Sequence, residues 1–399
     1  MDYSQLASRL DNIAPFHVME LAKMAATLER EGRDIIHMGI GEPDFTAAAP
    51  VIAAAAQAMA DGRMQYTSAT GLPALREAIA RHYAAVYGLA IDPSRIIVTA
   101  GASAALLLAC AALVDKGAEV LMPDPSYPCN RHFVAAFDGV ARMIPSGPEH
   151  RFQLSEAMVK EHWGEATRGV LLASPSNPTG TSIPQDELRR IHALVKARGG
   201  FTIVDEIYQG LTYDAAPFSA LSLDDDVIVI NSFSKYFNMT GWRLGWLVVP
   251  PAMVAPIEKL AQNLFICASS IAQHAALACF EPESIAIYES RKAEFKRRRD
   301  YLVPALVGLG FKVPVLPDGA FYVYADCSAL DADADQLTLD MLNDAGVVLV
   351  PGLDFGPSTA HGYIRVSYAT SMANLEQAIE RLAAFFKDRP RPTSPVSRT

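Results

Sequence analysis

Cysteine is scarce in this chain and unpatterned. Its five cysteines (Cys110, Cys129, Cys267, Cys279 and Cys327) are odd in number, scattered and include no CxxC pair. That argues against a disulfide framework and against a cysteine-bound metal, and it predicts reduced thiols. No apolar run approaches the ~20 residues needed to cross a bilayer. The opening Met1-Asp2-Tyr3-Ser4-Gln5 lacks the basic start and apolar stretch of a secretory signal. A cytoplasmic protein with no membrane partner is therefore expected. Positive charge is also in deficit: the formal net charge is −10, the wrong sign for a chain whose main partner is nucleic acid. No internal repeat is present. What remains is 399 residues, 51 % apolar and 20 % charged, the balance of a globular chain too long for one small core.

Short apolar segments alternate with helical patterns through the first two thirds of the chain. Strands are predicted over 35–38, 95–100, 119–122, 169–173, 201–204, 227–230 and 245–249. Helices are predicted over 19–28, 50–59, 72–87, 104–113, 131–137 and 185–197. This alternation specifies an α/β fold, a mostly parallel sheet with helices on both faces. After about residue 285 the texture changes to long helices and short strands over 320–324 and 364–368, a smaller α+β domain. The expected organisation is an arm and part of the small domain in 1–45, a large domain in 46–285, a small domain in 286–389 and a disordered Pro-rich tail in 390–399. The basic run Arg291-Lys292-Ala293-Glu294-Phe295-Lys296-Arg297-Arg298-Arg299-Asp300 reads as the solvated face of a helix.

Ligands in such sheets bind beyond the carboxyl ends of the strands, and the polar turns of this chain fall there. Ser232-Phe233-Ser234-Lys235 follows the apolar run Val227-Ile228-Val229-Ile230, and Arg243 comes eight residues after the lysine. A lysine buried at a strand end loses its proton readily and can condense with an aldehyde, while two hydroxyls and a guanidinium suit a phosphate. Together they describe a pocket for pyridoxal 5′-phosphate (PLP). Taken alone, the same residues also fit an ordinary strand-end lysine in a serine turn. Gly101-Ala102-Ser103 is read as a turn before a helix start, where free N–H groups favour an anion. Asp205 ends a buried strand, where a carboxylate needs a cation such as a protonated pyridine nitrogen; a helix cap or ion pair would also serve. Tyr208 follows three residues later. Asn177 sits in the stiff turn Ser176-Asn177-Pro178-Thr179-Gly180, Tyr127 stands between two prolines as a stacking platform, and Arg365 lies inside an apolar strand where it suits a substrate carboxylate.

In this order the segments resemble the fold-type I PLP-dependent aminotransferases, class I/II, the group of the aspartate, aromatic and alanine aminotransferases. The carrying motifs are Gly41-Glu42-Pro43-Asp44-Phe45, Tyr66 with Gly71, Gly101-Ala102-Ser103, the Asn177 turn, Asp205-Glu206-Ile207-Tyr208, the Lys235 turn with Gly241-Trp242-Arg243, and Arg365-Val366-Ser367-Tyr368. The resemblance implies that Lys235 bonds the cofactor and moves the substrate proton, and that Asp205 pairs with the ring nitrogen. It implies that Tyr208 and Asn177 bond the ring oxygen and that Tyr127 stacks on the ring. Ala102, Ser103, Ser232, Ser234 and Arg243 would hold the phosphate, together with Tyr66 of a second subunit in a homodimer. Arg365, Asn177 and the Gly41 backbone would hold the substrate carboxylate. Ser103 stands where some acid-specific relatives carry lysine. The substrate side chain would meet Ile13, Phe16, His17 and Ile40, a wall more apolar than charged that points to neutral or aromatic amino acids. No metal is expected.

The expected activity is ping-pong transfer of an amino group from an α-amino acid to a 2-oxo acid. Two alternatives share the fold. One is β-elimination by a C–S lyase, which uses the same lysine. The other is a PLP-binding regulator, which needs a DNA-binding module ahead of the motifs that begin at Gly41.

Overall fold

The computed structural model describes residues 6–15, 17–387 and 389. The disordered tail expected in 390–399 and the wall residue Phe16 therefore lie outside the described residues. A seven-stranded sheet forms the larger part, in the order Ile96–Thr99, Gly245–Val248, Ile228–Ser232, Phe201–Asp205, Thr167–Ala173, Glu119–Asp124, Val140–Pro145. All neighbours are parallel except that Gly245–Val248 runs antiparallel to both of its own. The sequence did not announce Val140–Pro145, because this edge strand is only partly covered and lacks an apolar run.

Side-chain alternation explains why the central strands are apolar at most positions on both faces. Val170, Leu172, Val204, Val229 and Trp246 enter one core; Leu171, Ile203, Ile228, Ile230 and Leu247 enter the other. Successive residues point to opposite faces, and both faces are covered, so neither parity can be polar. Helix Gln185–Ala197 packs Leu188, Ile191 and Val195 on the first face. Helices Gly101–Leu113 and Val254–Leu264 cover the second with Leu106, Leu108 and Ile257. Among the described residues, no helix is long and apolar enough to cross a membrane.

The remaining strands form a three-stranded antiparallel sheet, Val350–Pro351, Tyr363–Ser367, Tyr322–Asp326, and a parallel pair, Ile36–His37 with Val347–Val348. The 28-residue helix Pro282–Leu309 packs with Met372–Lys387 beside them. Its basic run is not simply a solvated face. Phe295, Arg298, Arg299, Leu302 and Leu306 are all buried, and their spacing of three, four and seven residues puts them on one helical stripe. Burial is tolerated because Arg298 forks onto Asp44 at 2.8 and 3.0 Å, and Arg299 reaches Asp214 at 3.0 Å.

Candidate active site

A cavity of about 530 Å³ opens at the carboxyl ends of the parallel strands. Strand Gly245–Val248 runs the opposite way, so its leading residue Arg243 arrives at the same end as the others' trailing loops. Gly41, Ala102, Ser103, Tyr127, Asn177, Asp205, Tyr208, Ser232, Ser234, Lys235, Arg243 and Arg365 all line it. Of the residues expected at the site, Tyr66 stands apart: its own chain leaves it 80 % exposed.

Lys235 is presented by a turn anchored from below. Phe233 is fully buried against Trp246, Phe237 and Phe280, with ring centroids at 4.9, 5.1 and 5.9 Å. Burying such a ring contributes about 1.5–3 kcal/mol, which offsets the cost of holding an amine inside. The Lys235 Nζ donates to the Gly41 carbonyl at 2.5 Å and lies 5.7 Å from the Tyr208 ring centre. Desolvation pushes this amine down to about 8, against the upward pull of Glu42. A useful fraction is thus neutral and nucleophilic near physiological pH.

Asp205 ends its strand and Glu206 follows it directly, so alternation separates their roles. Glu206 turns away, accepting from Ser219 Oγ at 2.8 Å and Ala220 N at 2.6 Å. Asp205 faces the cavity; its Oδ1 accepts from the Ile207 N–H at 3.0 Å. Burial pushes the Asp205 carboxyl up to about 7, with the Ile207 N–H and Lys235 acting the other way.

The lining also holds groups that suit an anion. Gly101-Ala102-Ser103 was expected as a turn ahead of a helix, but helix Gly101–Leu113 begins at Gly101 itself, with no side-chain cap on its first turn. Its leading N–H groups are then left for a ligand. Gly101 has φ +81°, and a Cβ there would lie 2.6 Å from Arg243 Nη2, so glycine lets the guanidinium lie against the helix start. Ser232 Oγ donates to Ser234 Oγ at 2.9 Å and accepts from the Ser234 N–H at 3.0 Å beside it.

Arg365 is 2 % exposed. Its Nη1 donates to Asn177 Oδ1 at 2.8 Å and its Nη2 to the Gly39 carbonyl at 2.5 Å, while its buried Nε has no partner. Among the described residues no carboxylate lies within ion-pair distance of it. A buried cation held only by neutral acceptors keeps its attraction for an anion.

The structure also brings in residues that sequence reasoning missed. Val18 and Met19, from helix His17–Arg30, line the cavity beside Ile40. Ile13 and His17, expected in this wall, are exposed and lie outside the lining. Helix His17–Arg30 starts two residues before its predicted start at residue 19 and carries Val18 and Met19, not His17, into the lining. Tyr322 lines the cavity with its hydroxyl 2.7 Å from that of Tyr208; it was hidden in an apolar strand where a tyrosine reads as packing.

A family model for aminotransferase class I and II matches residues 33–382. The chain belongs to this family. It is an enzyme of the aminotransferase kind, in a family that uses PLP. The chain is 38 % identical to a valine–pyruvate aminotransferase of Mycobacterium tuberculosis, over 94 % of this chain and 96 % of that one. It is 33 % identical to an aspartate aminotransferase of Geobacillus stearothermophilus, over 96 % and 100 %. Among solved structures, an aminotransferase from Mycobacterium tuberculosis superposes with a TM-score of 0.93 at 37 % identity, covering 96 % of this chain and 99 % of that one. The aspartate aminotransferase of Thermus thermophilus with maleate gives 0.90 at 33 % identity, covering 95 % and 99 %.

Proposed function

We propose that this aminotransferase exchanges the amino group of a neutral or aromatic α-amino acid with a 2-oxo acid in two successive half-reactions, using PLP, as a cytoplasmic homodimer. The observation that carries the reading is the single cavity shared by a depressed lysine, a buried carboxyl and an anion cradle. Each answers a different part of PLP. The helix start at Gly101, with Ser103, Ser232, Ser234 and Arg243, would hold the phosphate. Asp205 would pair with the protonated ring nitrogen, which removes the cost of its burial. Tyr127 would lie against the ring, and Tyr208 and Asn177 would bond its oxygen. When bound, PLP supplies an electron-withdrawing ring that stabilises negative charge at the substrate Cα.

The chain's own residues then orient the substrate and move its proton. Arg365 turns its guanidinium to the carboxylate, with Asn177 and the Gly41 backbone beside it, which fixes which Cα bond faces Lys235. The neutral Lys235 amine would take the proton from the substrate Cα and give it up again at C4′, the carbon of bound PLP that carried the aldehyde, a transfer helped by a pKa near working pH. Side-chain preference is supported by the wall of Val18, Met19 and Ile40. Among the described residues of one chain, the cations of the lining are Lys235, Arg243 and Arg365, all engaged in this scheme. The valine–pyruvate activity named for the Mycobacterium tuberculosis relative is of the same neutral class.

Assembly as a dimer is supported by exposed apolar residues around Tyr66. Met64, Leu264 and Ile266 are 55, 54 and 52 % exposed, and contacts from Ser270 to Gln65 and from Gln273 to Thr67 bring the two segments together. A patch of this kind marks an interface, and Tyr66 would cross it to the partner's phosphate.

The test is a half-reaction screen. Each amino acid is added to the PLP-loaded protein, and loss of the cofactor's visible absorbance with release of the 2-oxo acid is followed. Neutral or aromatic amino acids should react fastest, and Lys235→Ala should be inert with every one. Pyruvate and ammonia released from a cysteine conjugate without any amino acceptor would instead identify β-elimination.

A further inference from the structure

Tyr322 meets Tyr208, Arg365 and Gly41 at once in the wall of the cavity. Its side chain is fully buried. Its strand pairs Tyr324 opposite Arg365 and Tyr322 opposite Ser367, which makes Tyr322 the diagonal neighbour of Arg365 on the same sheet face, within reach of a long side chain. The Arg365 guanidinium accordingly sits 4.5 Å from the Tyr322 ring centre. The hydroxyl end abuts Gly41, where a Cβ would lie 2.5 Å from it. The carbonyl of that same glycine holds Lys235.

The hydroxyls of Tyr322 and Tyr208, 2.7 Å apart, share one hydrogen bond. Each phenol carries one proton. If Tyr208 donates to Tyr322, it has nothing left to donate into the cavity; if Tyr322 donates, the Tyr208 proton is free. The more acidic hydroxyl is the better donor, and a cation against a phenol favours its ionised form. Burial raises both phenols and the Arg365 charge offsets it at both, but the guanidinium lies against the Tyr322 ring itself, at 4.5 Å, so its pull bears more directly on that hydroxyl.

Resting on the reading of this cavity as a PLP site, we infer that Tyr322 is a positioning residue that donates its hydroxyl proton to Tyr208 and so commits Tyr208 to donate toward the phenolic oxygen of bound PLP. The clamp for the substrate carboxylate and the donor that tunes the cofactor are thereby joined through one side chain. Such a chain of donors strengthens its last bond, since each member polarises the next.

The test compares wild type, Tyr322→Phe, Tyr208→Phe and the double variant as PLP-loaded proteins, titrating the visible absorbance of the bound cofactor against pH. A bond donated to the phenolic oxygen stabilises its ionised form. A weaker donor makes that oxygen hold its shared proton more tightly, so the titration moves to higher pH. Tyr322→Phe should move it up by about half a unit, a fraction of the Tyr208→Phe shift. The double variant should move no further than Tyr208→Phe alone. The ring is retained, so the melting temperature of the cofactor-free Tyr322→Phe protein should stay within ~4 °C of wild type. A Tyr322→Phe titration equal to wild type, or a shift that adds to that of Tyr208→Phe, overturns the inference. Failure of the wild type to take up PLP overturns the underlying site reading, and is distinguished by the absence of any visible band to titrate.

Discussion

Above pH 7 the Asp205 carboxylate is a charge that folding has moved out of water, and the protein alone does not fully compensate for it. Its folded pKa, about 7, lies above the ordinary 3.8. Between those values the folded chain binds a proton that the unfolded chain has released, so this residue's contribution to stability falls as pH rises through the window. The cost is complete above 7. Asp205→Asn, which keeps an oxygen for the Ile207 N–H, should therefore raise the stability of the cofactor-free protein at pH 8 by on the order of 1 kcal/mol. The gain should vanish near pH 4. Thermal melts at both pH values check this; a gain that persists at pH 4 contradicts it. The same variant should lose PLP affinity, so stability and function trade off at one atom. Arg365 makes a second case. A lysine at 365 keeps the charge but cannot donate to Asn177 Oδ1, the Gly39 carbonyl and a carboxylate in one plane. Arg365→Lys should raise the KM for the amino acid by at least tenfold and leave the PLP content of the purified protein unchanged. Equal loss of both would remove Arg365 from the clamp.

One short turn holds the cavity wall that the proposed substrate would meet. Asp354 in Gly352–Asp354 is buried, and its two carboxylate oxygens accept from the His17 and Val18 N–H groups at 3.0 and 2.9 Å. It thus caps helix His17–Arg30 from 336 residues away in sequence, and Val18 and Met19 of that helix line the cavity. The next residue, Phe355, lies 4.9 Å from the Arg365 guanidinium. Losing an N-cap costs about 0.5–2 kcal/mol. Here that loss would loosen the wall before it loosened the fold. Asp354→Ala should raise the KM for the amino acid several-fold, with kcat within about twofold of wild type and PLP affinity unaltered. A matching loss of PLP affinity would assign the turn to general stability instead.

For the whole molecule the open question is whether one chain makes one site. Tyr66 is exposed and does not line its own chain's cavity, and the proposed dimer gives it to the neighbour's phosphate. Tyr66→Ala and Lys235→Ala chains, each weak or inert alone, should complement when refolded together, because a mixed dimer rebuilds one of its two sites. Random pairing yields about a quarter of wild-type activity if Tyr66 acts in trans. If Tyr66 acts within its own chain, mixing will recover nothing beyond the sum of the parts.

Local order was enough to foresee the layering and all strands of the large sheet except the edge strand Val140–Pro145. Asp205 closes a buried strand, and Lys235, Asn177 and Tyr127 lie in the loops just past one, so all four could be placed at the carboxyl end of the sheet. Arg365 stood out because a charge inside an apolar strand needs a reason. Tertiary structure alone decided the rest. Tyr322 meets Tyr208 across 114 residues, and Asp354 meets His17 across 337. Arg298 is buried because Asp44, 254 residues earlier, neutralises it. Neither propensity nor periodicity carries information about such partners, because both describe a residue's relation to its own helix or strand. Which side chains share a hydrogen bond is set when separate elements pack.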